Sequence, residues 1–244
     1  MMMRRFGLMV LAILGVPLVW VLGRCFLGTL VLDTLDAPFF SASRIAFFAG
    51  CLLMTALYTW RGSSFTILYV FAHEMTHALA GLLCFAKIHK INIQRSGGFV
   101  QLSKSNLVIT LAPYCLPFYL LCGVVLYGLV QYLWPDVLPF PLWSGVFGVL
   151  TAFHVLFTFD ALLSVSQPDT HEYGRFFSWW FILVTNLFFA LLAVTVTSPK
   201  MNLRQQTVQV AATTRDAYAA VYAGMRGVFH SVGGLCGGKP SSRE

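Results

Sequence analysis

Long stretches without a charged side chain govern what this chain can fold into. Residues 107–134, 137–159 and 176–198 contain no Asp, Glu, Lys or Arg, and each supplies the roughly 20 apolar residues that a helix needs to cross a bilayer. Further apolar runs cover 6–23, 45–60 and 63–85, the second of them bracketed by Arg44 and Arg61. Lipid offers no hydrogen bonds to a bare backbone, so such runs must become helices. The expected fold is therefore an all-α integral membrane protein with six spans. Residues 1–199 form the polytopic membrane domain, and 200–244 form a basic tail, partly helical and then disordered.

Only 10% of the 244 residues are charged, against about 25% in soluble domains. The net charge of +7 does not point to nucleic acid, because the basic residues flank apolar runs and fill the tail, as contacts with anionic headgroups require. The partner they imply is the lipid bilayer. Six cysteines without a CxxC pair read as small buried hydrophobes. Arg4 and Arg5 precede an apolar run with no small-residue cleavage site, so this run is expected to stay as the first helix. Those arginines and the basic tail favour cytoplasmic termini, which an even number of spans permits. Lys87, Lys90, Arg95 and Lys104 then fall on the opposite side, so either their segment sits at membrane depth or one span is miscounted.

That segment alternates. Ile91-Asn92-Ile93-Gln94 and then Gly97-Gly98-Phe99-Val100-Gln101-Leu102 have the period of two expected of a short β-hairpin. It directly follows the apolar run that contains His73-Glu74-Met75-Thr76-His77. On a helix, residues four apart share a face, so both imidazoles can meet one metal ion with Glu74 beside them. Two imidazoles and a third ligand suit Zn2+, one per chain. They leave a position for water, whose pKa falls to about 7, with Glu74 as general base and later acid. Each ionisable group at the bilayer centre costs about 2.5–3.5 kcal/mol, a cost that a bound cation offsets. The competing reading, three buried polar residues tying helices together, needs a charged partner that the flanking sequence lacks.

Two acids are candidates for the third ligand. Asp160 ends an apolar run, and Asp169 follows Pro168, which can open a helix that dips inward. Spacing does not choose between them. His154 lies within a span, where it either bonds a neighbouring helix or lines a water path. Asn186 either joins helices or stabilises a developing oxyanion. Pro113 and Pro117 are expected to kink their helix.

Taken together, these residues resemble the site-2 protease family of intramembrane zinc metallopeptidases, including its less characterised bacterial branch. The resemblance rests on His73-Glu74-Met75-Thr76-His77-Ala78-Leu79-Ala80, on Gly97-Gly98-Phe99-Val100 and on Ala112-Pro113-Tyr114. Gln167-Pro168-Asp169, Gly174, Phe176-Phe177-Ser178 and Asn186 complete it, so that it covers roughly residues 65–192. It implies a zinc endopeptidase acting on bonds in or near transmembrane segments of membrane-protein substrates. It also implies that Asp169 completes the metal site, with Asp160 as the fallback, since Asp169 is followed by Thr170 rather than by the glycine of better-known members. Gly97 and Gly98 would then lie on a strand that either pairs with an unwound substrate or plugs the cavity. Three other readings compete. They are a metal transporter, a non-catalytic membrane scaffold that keeps the zinc site, and an iron oxygenase, for which six histidines are too few.

Overall fold

The computed structural model describes residues 2–35, 41–135, 137–164, 167–198 and 202–236. It is almost wholly helical: α1 (Met2–Leu14), α2 (Val16–Leu35), α3 (Ala42–Arg61), a 3-10 turn (Gly62–Phe65) and α4 (Thr66–Leu83) lead into a hairpin of β1 (Ile88–Gln94) and β2 (Gly97–Leu102). Then follow α5 (Leu107–Cys115), α6 (Phe118–Leu133), α7 (Phe140–Ser164), the short α8 (Pro168–Glu172), α9 (Arg175–Val196) and α10 (Leu203–Cys236). Local chemistry marks the boundaries. The Ser41 side chain accepts from the Arg44 amide at the start of α3, and Asn106 does the same for Ile109 at the start of α5, each satisfying an orphan donor of a first turn. Pro168 opens α8, where its missing N–H costs nothing.

Four helical stretches are long and apolar enough to cross a membrane, and a fifth is obtained when α5 and α6, bent by 75° at their break, are counted as one. The chain is therefore a membrane protein with fewer candidate spans than the six expected. The difference lies at 42–83. The sequence suggests two crossings there, separated at Arg61, but α3 passes through the 3-10 turn into α4 as one apolar stretch of 42 residues. Arg61 leaves helical geometry at φ −142° and ψ 34°, and Tyr58 of α3 and Tyr69 of α4 both meet the Phe157 ring, at 5.1 and 5.7 Å, so the chain turns back within that stretch.

Helices α3 and α7 form the tightest pair and run in the same direction. Ser144 Oγ donates to the Ser43 carbonyl at 2.6 Å, and the Tyr58 and Phe157 rings meet at 5.1 Å further along. Glycines permit the approach: a Cβ on Gly50 would strike the Gly145 carbonyl, and one on Gly148 the Phe47 carbonyl. Small residues that let backbones touch are how helices associate where water gives no hydrophobic drive. Elsewhere α2 packs Val21, Leu22 and Cys25 against Leu191 and Val194 of α9.

The segment after residue 200 is a helix of 34 residues, longer than its composition suggests, and it folds back along α2. A buried polar seam holds it there, in which Thr29 Oγ1 and Thr195 Oγ1 both donate to Gln206 Oε1, at 2.9 and 3.3 Å. Tyr218 then reaches the Leu14 carbonyl at 3.0 Å. Val210 and Ala217 add apolar packing against the α2 and α9 cluster, but the buried polar bonds are what hydrophobic periodicity does not reveal. The disordered end expected for the tail falls at 237–244, outside the described residues.

The two strands pair antiparallel, with Ile93 opposite Gly98 and Gln94 opposite Gly97. Gly97 turns the hairpin at φ 141°, a conformation that a side chain would strain. Leu102 packs on Gly81 and on the small cluster of Ala80, Ile109 and Ala112, so the hairpin leans against α4 just past its two histidines.

Candidate metal centre

The helical repeat of α4 puts His73 and His77 on one face, with ring centroids 4.9 Å apart. Helix α8 brings Asp169 from the far end of the chain to meet them. Asp169 Oδ2 lies 3.7 Å from His73 Nε2 and 3.6 Å from His77 Nε2. Two ligands at a metal bond length of about 2.05 Å and a tetrahedral angle stand about 3.4 Å apart. Both aspartate–imidazole distances are therefore close to the spacing that one small cation imposes, the ligand atoms all lie within 4.8 Å of one another, and all three side chains are largely buried. Among the described residues they form the one group of three or more His, Cys, Asp or Glu that could hold a metal ion. Asp160 is not in that group. It is an exposed residue one turn before the end of α7, close enough to the Tyr58 hydroxyl to interact with it.

Outer contacts orient each ligand. His77 Nδ1 lies 2.8 Å from the Ile109 carbonyl; a carbonyl only accepts, so Nδ1 carries a proton and the ring is held with Nε2 toward Asp169. His73 Nδ1 is 3.4 Å from the Tyr69 hydroxyl, one helical turn earlier. The Tyr114 hydroxyl donates to Asp169 Oδ2 at 3.1 Å, and its ring meets His73 edge-on. Burial pushes the Asp169 carboxyl up, but hydrogen bonds and charge from His73 and His77 outweigh it and hold the group well below the usual carboxylate range.

Glu74 is 6% exposed and faces the hairpin. A Cβ built on Gly98 would stand 2.6 Å from Glu74 Cγ and 3.0 Å from its Oε1, so strand β2 passes over this carboxylate through the space a side chain would fill. The ligands, Glu74 and both hairpin glycines line one open cavity of about 700 Å3, with Lys104 and Glu172 also on its wall. Gly97 and Gly98 are thus part of the site.

His154 and Asn186 lie outside that cavity. Asn186 directs its amide group at the Tyr114 and Ile182 carbonyls, 2.9 and 2.8 Å away, which occupies both its protons and leaves it no donor for an oxyanion. It joins α9 to α5. His154 lines a separate void of about 20 Å3 behind His73, room for about one water molecule.

Several supporting groups leave no sign in the sequence. Arg5 donates to the His171 carbonyl at 2.8 Å, while Arg4 stacks over Tyr173 at 4.4 Å and approaches Glu172 at 3.9 Å. The start of the chain thus lies against the segment that carries Asp169, a contact across more than 160 residues that no local pattern announces. Tyr69, at i−4 from His73, was within reach of a helical reading. Tyr114 stands out in the sequence only within Ala112-Pro113-Tyr114.

No family model matches the chain, and no curated protein or solved structure shows significant similarity to it. Its function is therefore argued from this geometry.

Proposed function

We propose that the protein is an intramembrane zinc metallopeptidase that hydrolyses peptide bonds in or near transmembrane segments of other membrane proteins. The observation that carries this reading is the meeting of His73, His77 and Asp169, their ligand atoms within 4.8 Å of one another, beside the buried Glu74. Two imidazoles and one carboxylate fit zinc better than magnesium or calcium, which prefer all-oxygen shells. A zinc ion held by His73, His77 and Asp169 supplies Lewis acidity and brings the pKa of water to about 7.

The chain's own residues do the rest. His77 and Asp169 are held by Ile109 and Tyr114, so the ligands are arranged before metal arrives. Glu74, one residue from a ligand and free of a side chain opposite it at Gly98, takes a proton from water in the cavity and returns it to the leaving amine. The peptide bond must be unwound to be attacked, because a helix shields its carbonyls. Strand β2 borders the cavity from Gly97 to Leu102 and offers backbone groups to an extended substrate.

The test compares membrane-protein fragments in cells that carry wild-type or Glu74→Gln protein, alongside the zinc content of each purified protein. Glu74→Gln is expected to abolish the fragments and keep the zinc, and His77→Ala to lose both. Iron in place of zinc, or unchanged fragments with Glu74→Gln, refutes the reading.

A further inference from the structure

Helix α5 carries a proline inside it, at position 113. In a regular α-helix the N–H of residue 113 would bond the carbonyl of residue 109, but proline has no N–H to give. The carbonyl left without that donor is the one that accepts from His77 Nδ1, at 2.8 Å. In apolar surroundings an orphaned carbonyl must find another donor, and α4 brings one to it.

The neighbouring break follows the same rule. Helix α5 ends at Cys115, so the Tyr114 carbonyl lacks its own partner in the next turn, and Asn186 Nδ2 donates to it at 2.9 Å. The 75° bend between α5 and α6 lies at this second break, around Pro117, while the chain stays helical across Pro113. A kink therefore does not explain Pro113.

We propose that Pro113 is a positioning residue for the metal: by withholding an N–H it reserves the Ile109 carbonyl for His77 Nδ1 and fixes the tautomer whose Nε2 faces Asp169. This rests on the metal centre of the reading above and not on its peptidase step. A donor at position 113 competes for the carbonyl, loosens the imidazole and lets its proton move to Nε2, where it blocks a ligand atom.

The experiment uses the full chain in detergent micelles. Zinc affinity is measured by chelator competition, and the melting temperature of the chelator-treated protein is measured separately. Pro113→Ala is expected to bind zinc at least about tenfold more weakly, the lower end of the effect of losing a partner behind a metal ligand. Its metal-free melting temperature should stay level or rise, since alanine favours helix and supplies a backbone bond. A proline serving only the fold would lower both together, and that outcome overturns the proposal, as does zinc affinity within about twofold of wild type. A second measurement needs no variant. The 15N shifts of His77 in the wild-type, zinc-loaded protein should show the proton on Nδ1 and the metal on Nε2, and metal on Nδ1 overturns the proposal even if Pro113→Ala fails to fold. Wild-type protein that binds no zinc refutes the metal centre itself, whereas wild-type binding with Pro113→Ala unaltered refutes only the role of Pro113.

Discussion

Replacing Gly98 by alanine tests how closely the hairpin and the proposed base are fitted. The new Cβ would stand 2.6 Å from Glu74 Cγ and 2.8 Å from the Asn92 carbonyl of the paired strand, whereas carbon atoms rest about 3.5–4.0 Å apart. Strand β2 cannot back away, because Asn92 closes that direction, so the Glu74 side chain must retreat by about 1 Å. A misplacement of about 1 Å costs on the order of a hundredfold in rate. Neither zinc ligand nor any group behind one is touched, so metal content should remain at one per chain. The assay follows cleavage of a membrane protein identified by the Glu74→Gln comparison, with reconstituted enzyme, and records kcat together with bound zinc. Gly128→Ala serves as the control, since a Cβ there meets nothing within 4 Å. Cleavage by Gly98→Ala within about threefold of wild type would show that Glu74 does not act from beneath β2, and the proposed base would have to be abandoned.

Asp169→Asn should lose zinc and cleavage while Asp160→Asn keeps both, as metal analysis of the two purified proteins would show; the reverse pattern would transfer the third ligand to α7. Tyr114→Phe removes the hydroxyl that donates to Asp169 and should weaken zinc binding by about tenfold in chelator competition. Gly50→Ala and Gly148→Ala force a methyl into the backbone of the facing helix, so each should cost at least the roughly 1–3 kcal/mol of ordinary overpacking, read as a lower melting temperature in detergent.

The ligand pair was legible because it depends on one helical turn, and the hairpin because alternation shows in six consecutive residues. Asp169 was legible only in part, since a loop residue carries no periodicity and its partners are about 90 positions away. The number of spans is a different case. Arg61 reads as a loop residue between two crossings; the helices on either side of it form one apolar stretch of 42 residues, and only the Phe157 ring, met by both Tyr58 and Tyr69, shows that the stretch turns back on itself. The docking of α10 was hidden because its key contact is a glutamine bonded to two threonines, which composition scores as solvent-facing. Pro113 was visible as a residue but its effect was not. The sequence shows that an N–H is missing and cannot show which imidazole takes up the carbonyl it frees.

The distance along the chain between His77 and Asp169 also sets an order of events during synthesis. At about 5–20 residues per second, roughly 5–20 seconds separate the emergence of the second histidine from that of the aspartate. Through that interval α4 is already made but holds only two of its three ligands. The Arg5 contact with the His171 carbonyl, 166 positions apart, closes only after the aspartate has arrived. The first residues translated are thus among the last to settle, and a nascent chain released before residue 169 has an incomplete metal centre. With Asp169 as the proposed third ligand, metal loading should follow completion of α8 rather than accompany the insertion of α4.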